Sequence, residues 1–123
     1  MQSEKTKVDI DSRSYEFALR VISLVRKLPR EVSAVEIGRQ IVRSGTSIAA
    51  NIEEAQGACS KSDFTHKMNI ALKEARETHL WLRLISDSGF GLQDSVTDLV
   101  KESMEIRNIL GAIVKSSRNK TIQ

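Results

Sequence analysis

The chain has 123 residues, 40% of them hydrophobic and 28% charged, with a formal net charge of +3 and a pI near 9.2; that is the size and make-up of one globular domain with a single core. Only 4% is aromatic and there is one proline, which favours helices over a sandwich or barrel. The lone Cys59 excludes an internal disulfide framework and a multi-cysteine zinc site, and no apolar run approaches the ~20 residues of a membrane span.

The opening MQSEKTKVDIDS lacks the basic-then-apolar pattern of a secretory signal, so a cytoplasmic protein of bacterial type is expected. The first predicted helix covers about 12–28 and stops before Pro29, which lacks an amide donor and disfavours helical geometry in the residue before it. Phe17, Val21, Leu24, Val25 and Leu28 share one side, with Tyr15, Leu19 and Ile22 beside them. That apolar arc is wider than the stripe of an ordinary surface helix.

The second helix, about 34–58, opens on Ser33-Ala-Val-Glu36, which reads as a capping box with Val32 and Ile37 as its hydrophobic staple. Ile37, Ile41, Ser44, Gly45, Ile48, Ile52 and Ala55 then share one face at helical spacing. The third helix, about 61–87, opens on a second capping box, Ser60-Lys-Ser-Asp63, with Cys59 and Phe64 at the staple positions. Its core stripe is Phe64, Met68, Ala71, Leu72, Ala75, His79 and Leu82; Ile70, Glu77, Trp81 and Leu84 lie on nearly the opposite face, as a second seam would. The fourth helix, about 94–117, has Ser95-Val-Thr-Asp98 as a plausible cap, carries Val96, Leu99, Val100, Ser103, Ile106, Leu110, Ile113 and Val114, and gives way to a flexible basic C-terminal tail. Four helices with short loops make an all-α, antiparallel up-down four-helix bundle in one domain, 1–123.

Catalytic and metal chemistry find little support. His66 and His79 stand thirteen residues apart with no second ligand at metal spacing, and no Walker loop, dinucleotide fingerprint or nucleophile elbow occurs. Glu74 and Glu77 could form an acid/base pair, but Lys73 and Arg76 beside them make ordinary ion pairs the simpler reading, as does Glu16 with Arg20. The expectation is therefore a protein that is not an enzyme, with no catalytic residue, metal or cofactor.

The basic side chains are more suggestive. Arg13, Arg20 and Lys27 repeat every seven residues on the first helix, Arg26 and Arg30 flank its end, and Arg39 and Arg43 form an i,i+4 pair on the second. Such rows are usually a solvated face. Repeated around a ring of subunits they would form a positive band able to hold RNA or DNA by its phosphates.

Arg43-Ser-Gly-Thr-Ser-Ile-Ala-Ala-Asn-Ile-Glu-Glu-Ala55, preceded by Gly38-Arg39-Gln40 and followed by Lys61-Ser-Asp-Phe64 and Ile70-Ala-Leu-Lys-Glu-Ala-Arg-Glu-Thr-His-Leu-Trp-Leu82, resembles the family of small four-helix-bundle proteins encoded in intervening sequences of bacterial 23S ribosomal RNA genes. The accessory variability determinant of diversity-generating retroelements belongs to the same family. The resemblance runs from about Tyr15 to Gly89. It implies a homopentameric barrel with a basic surface and no enzymatic activity; in the retroelement branch the protein binds nucleic acid and partners a reverse transcriptase, although this chain is closer to the generic branch. A pentamer would use Tyr15, Leu19, Ile22, Ile70, Trp81 and Leu84 as its subunit interface. The polar residues of the matching stretches, Arg43, Ser47, Asn51, Glu54, Glu74 and Glu77, would fix register across a helix pair, or else bond within their own helices. A module that binds only proteins is the alternative to a nucleic-acid-binding one.

Overall fold

A computed structural model describes the backbone of residues 10–122 and the side chains of residues 10–119. The opening MQSEKTKVD and the final Gln123 lie outside the described residues. Four helices account for almost all of the rest: α1 (Ile10–Arg26), α2 (Val32–Gln56), α3 (Lys61–Asp87) and α4 (Gln93–Ile122). Each helix packs on its chain neighbours and α4 returns to α1, so the four enclose one core. No strand occurs among the described residues.

The apolar stripes meet as their spacing requires. Phe17, Val21 and Leu24 from α1, Ile41, Ile48 and Ile52 from α2, Met68, Leu72 and Leu82 from α3, and Val96, Ile106 and Leu110 from α4 are all buried in one cluster. Burial of that kind, more than helix propensity, holds helices of this length in place.

The boundaries differ from the sequence reading where local chemistry competes. α1 ends at Arg26 rather than 28, because the chain tightens ahead of Pro29 through Lys27 N–H to the Leu24 carbonyl at 2.9 Å and Leu28 N–H to the Val25 carbonyl at 3.1 Å. α2 starts at Val32, so Ser33 is already inside its first turn; its hydroxyl donates to the Glu31 carboxylate at 3.0 Å instead of capping. Val32 is 81% exposed, so the staple with Ile37 does not form either. At the far end α2 stops at Gln56 rather than 58, with Gly57 as its C-cap.

The Ser60 cap does form, with the Asp63 amide donating to Ser60 Oγ at 3.0 Å, although Cys59 is exposed and makes no apolar staple. Ser95 caps nothing, because α4 has begun at Gln93 and the Val96 amide reaches the Leu92 carbonyl at 3.0 Å. α4 also continues to Ile122 where the sequence reading ended it about residue 117. Ser117, assigned there to the basic tail's start, is buried with its hydroxyl against that of Thr65 on α3.

The small residues of α2 have a packing role. A Cβ on Gly45 would meet Val21 Cγ1 at 3.2 Å and Cγ2 at 3.3 Å, and one on Gly38 would meet Leu28 Cδ1 at 3.2 Å and Val25 Cγ1 at 3.3 Å. Two glycines seven residues apart thus seat α1 directly on the α2 backbone. Gly45→Leu should therefore overpack this contact and lower stability by about 1–3 kcal/mol, seen as a lower urea midpoint at unchanged m-value.

Candidate functional site

The polar residues of α2 and α3 form a ladder across the seam between these helices. Arg43 reaches Glu77 Oε2 through Nη2 at 2.6 Å and Glu74 Oε1 through Nη1 at 3.3 Å, while one turn back Gln40 Oε1 lies 3.4 Å from its Nε. Further along, Lys67 Nζ meets Glu54 Oε1 at 2.8 Å. Bonding to Glu77 above all raises the Arg43 pKa, and bonding to Glu54 raises that of Lys67. Glu77 therefore pairs with Arg43 on α2 rather than with Lys73 on its own helix. The pair with Arg43 is solvent-exposed, so it contributes little to stability and more to register.

Asn51 donates to the Ser47 carbonyl at 2.8 Å within α2, so these two polar residues do not cross the seam. Ser44, buried beneath Arg43, does. Thr78 Oγ1 lies 2.8 Å from Ser44 Oγ and 2.7 Å from the Glu74 carbonyl. Thr78 is the donor in both, its one hydroxyl proton shared between Ser44 Oγ and the Glu74 carbonyl. This pairing was hidden in the sequence, where Thr78 stands among charged and apolar neighbours.

The seven basic candidates fall into two groups. Arg13 grips α4, with Nε on Glu102 Oε2 at 3.0 Å, Nη2 on Glu102 Oε1 at 2.8 Å and Nη2 on Glu105 Oε1 at 2.7 Å. The two carboxylates hold its pKa well above the ordinary arginine value. Arg13 and Arg43 thus have their charge neutralised within the chain. Arg20, Arg26, Lys27, Arg30 and Arg39 are exposed, and none has a hydrogen bond or ion pair among the described residues. The expected Glu16–Arg20 pair is not made.

Three of these five free cations converge. Arg26, Arg30 and Arg39 line an open groove of about 510 Å³ at the α1–α2 turn, together with Val25, Leu28, Pro29, Ala34, Val35, Gly38 and Val42. No carboxylate lines it. Farther along the same two helices a second groove, of about 700 Å³, is lined by Tyr15, Ala18, Leu19 and Ile22 from α1 and by Thr46, Ala49, Ala50, Glu53 and Glu54 from α2.

Of the six interface candidates, Tyr15, Leu19 and Leu84 are exposed at 60%, 44% and 40%, while Ile22, Ile70 and Trp81 are half-buried. Trp81 packs against the core of its own chain, and its indole N–H is buried with no acceptor among the described residues. It lies one turn beyond Glu77; Ile70 and Leu84 of the same stripe are not among the residues packed on the core, and Leu84 is exposed.

His79 is buried, with Nδ1 2.9 Å from Ser103 Oγ, and Ser103 donates at 2.8 Å to the Val100 carbonyl. The Ser103 proton is thereby used, and the ring must donate from Nδ1. Burial first, then the charges of Arg107 and Arg83, push the His79 pKa below its ordinary value. His66 is exposed, and no group of three or more His, Cys, Asp or Glu side chains that could hold a metal occurs among the described residues. Nor is any described helix long and apolar enough to cross a membrane.

The fold favours neutral His79, so its contribution to stability is complete above the unfolded pKa of about 6.5 and is lost as the pH falls below it. Urea midpoints measured down from neutral pH should decline across that range, and His79→Gln, which cannot titrate, should flatten the decline.

These features coincide with a known family. The model of the 23S rRNA-intervening sequence protein family matches residues 6–112. A crystal structure of a protein of unknown function from the S23 ribosomal protein family of Bacteroides thetaiotaomicron is similar at a TM-score of 0.80 and 42% identity, over 86% of this chain and 98% of that one. None of the curated proteins compared with the chain matches it. With the match running from ahead of α1 well into α4 and the same fold in a solved relative, the chain belongs to the 23S rRNA-intervening sequence protein family.

Proposed function

We propose that this protein is a non-enzymatic, cytoplasmic, homo-oligomeric bundle that binds the phosphates of RNA or DNA through Arg20, Arg26, Lys27, Arg30 and Arg39. The observation that carries this reading is the convergence of Arg26, Arg30 and Arg39, none with a hydrogen bond or ion pair among the described residues, on one groove that no carboxylate lines. Cations already neutralised by carboxylates release no counterions from a phosphate backbone; free ones do.

The absence of enzymatic activity is supported by the partners of the titratable side chains. Glu74 and Glu77 are held by Arg43, and His79 by Ser103, so none of them is oriented as a base toward an open cavity. An antiparallel up-down course is supported by the way contacts pair rising with falling numbers: Val21 with Gly45 and Leu28 with Gly38, Arg43 with Glu77 and Glu54 with Lys67, Thr65 with Ser117 and His79 with Ser103. Exposed Tyr15 and Leu19 beside an apolar groove support self-association, and a pentamer is the expected closed ring. The same exposed groove favours the second reading, a module that binds proteins alone, a reverse transcriptase among them.

Fluorescence anisotropy across a salt series, with particle mass recorded in the same buffers, separates the two. Affinity for labelled RNA should fall steeply with salt, and the double variant R30E/R39E should weaken binding at least about tenfold and lower the log–log salt slope by about one per lost contact. Arg13→Gln should leave affinity intact while lowering stability by about 1 kcal/mol. Absence of binding at low salt, or unchanged binding by R30E/R39E, would overturn the nucleic-acid reading.

A further inference from the structure

The groove at the α1–α2 turn combines two surfaces that a duplex does not need together. Its rim is cationic, from Arg26, Arg30 and Arg39, and its body is apolar, from Leu28, Pro29 and Val35 among others. Val35 alone is 49% exposed, an apolar surface left to water in the free protein. A double helix approached from outside offers phosphates and sugars while its bases stay stacked within, so it could neutralise the arginines but would leave the apolar floor wet. An unpaired nucleotide offers both a phosphate for the rim and a base for the floor.

We infer that this groove is a subsite for one unpaired nucleotide of a single strand, with its phosphates on Arg26, Arg30 and Arg39 and its base laid against Pro29 and Val35. The inference rests on the nucleic-acid reading above and specifies the form of the strand. At about 510 Å³ the groove is within the range of small-molecule sites. It contains no aromatic ring, but the guanidinium planes and the pyrrolidine ring are flat faces against which a base can lie. The one acidic residue of the turn, Glu31, accepts from Ser33 and does not line the groove.

The walls are also pre-set. Two tightened hydrogen bonds close the end of α1, Pro29 fixes its own backbone, and Leu28 and Val25 are seated on Gly38 of α2. The backbone and apolar walls thus need little ordering on binding, which leaves the arginine side chains as the groups to be fixed.

The test compares a short labelled oligouridine strand, the same strand carrying abasic positions, and a blunt RNA duplex of equal length, at low salt with the full chain. The intact strand should bind about fivefold or more tighter than either of the others. Val35→Ser, at an exposed position where folding is not at stake, should remove that preference while leaving duplex binding unchanged. Equal binding of all three probes, or a preference that survives Val35→Ser, would overturn the subsite and leave phosphate binding standing. Failure of every probe to bind would remove both.

Discussion

The side chain missing at Gly45 decides how α1 and α2 meet, and much else follows from it. Val21 fills the space a Cβ would take, and two helical turns away Leu28 and Val25 do the same at Gly38. A helix seated at two points along one stripe has little freedom to slide or roll. The lower point also draws the Pro29 turn down onto α2, which is why Arg26 and Arg30 from the end of α1 and Arg39 from α2 border one groove instead of pointing away separately. Packing of uncharged atoms thus brings these three arginines to one groove.

Adjacent to Gly45 in sequence, but about 100° away around the helix, Ser44 faces the other neighbour. There the contact is polar and buried, through Thr78, and Arg43 covers it from the solvent side with Glu74 and Glu77. α2 is consequently held on one flank by shape and on the other by hydrogen bonding. This resolves the unusual polarity of a stretch rich in Ser, Gly and Thr at the centre of a helix. Larger side chains at 44 and 45 would separate α2 from both neighbours at once, and the hydroxyl pair loses little because each buried oxygen has a partner.

The core could be read from the sequence because its signal is local. Ile41, Ile48 and Ile52, or Met68, Ala75 and Leu82, declare their shared face by spacing alone, and every one is buried. Caps were only half legible: Ser60 caps α3, whereas Ser33 has the same pattern and lies inside a helix that began two residues sooner than the sequence reading placed it. The free and engaged cations could not be told apart at all. Arg13 and Arg20 occupy equivalent places in a seven-residue row, and what distinguishes them is Glu102, 89 residues away on α4. Such a partner is set by the tertiary register, which neither residue encodes by itself. The same holds for Trp81, which spacing alone sets nearly opposite the core stripe and which the fold packs against the core.

A final relation follows from the spacing on α1. Tyr15, Leu19, Ile22 and Arg26 succeed one another at intervals of four, three and four, so they form one continuous stripe that runs from the apolar groove to the basic one. Along the facing edge of α2, Glu53, Ala49, Thr46, Val42, Arg39 and Val35 run the same course. The α1–α2 surface therefore carries two grooves along one line, one with Glu53 and Glu54 in its lining and the other with the arginines. On the proposed reading, self-association through Tyr15 and Leu19 and phosphate binding at the arginines would use opposite ends of this line, with about two helical turns between Leu19 and Arg26.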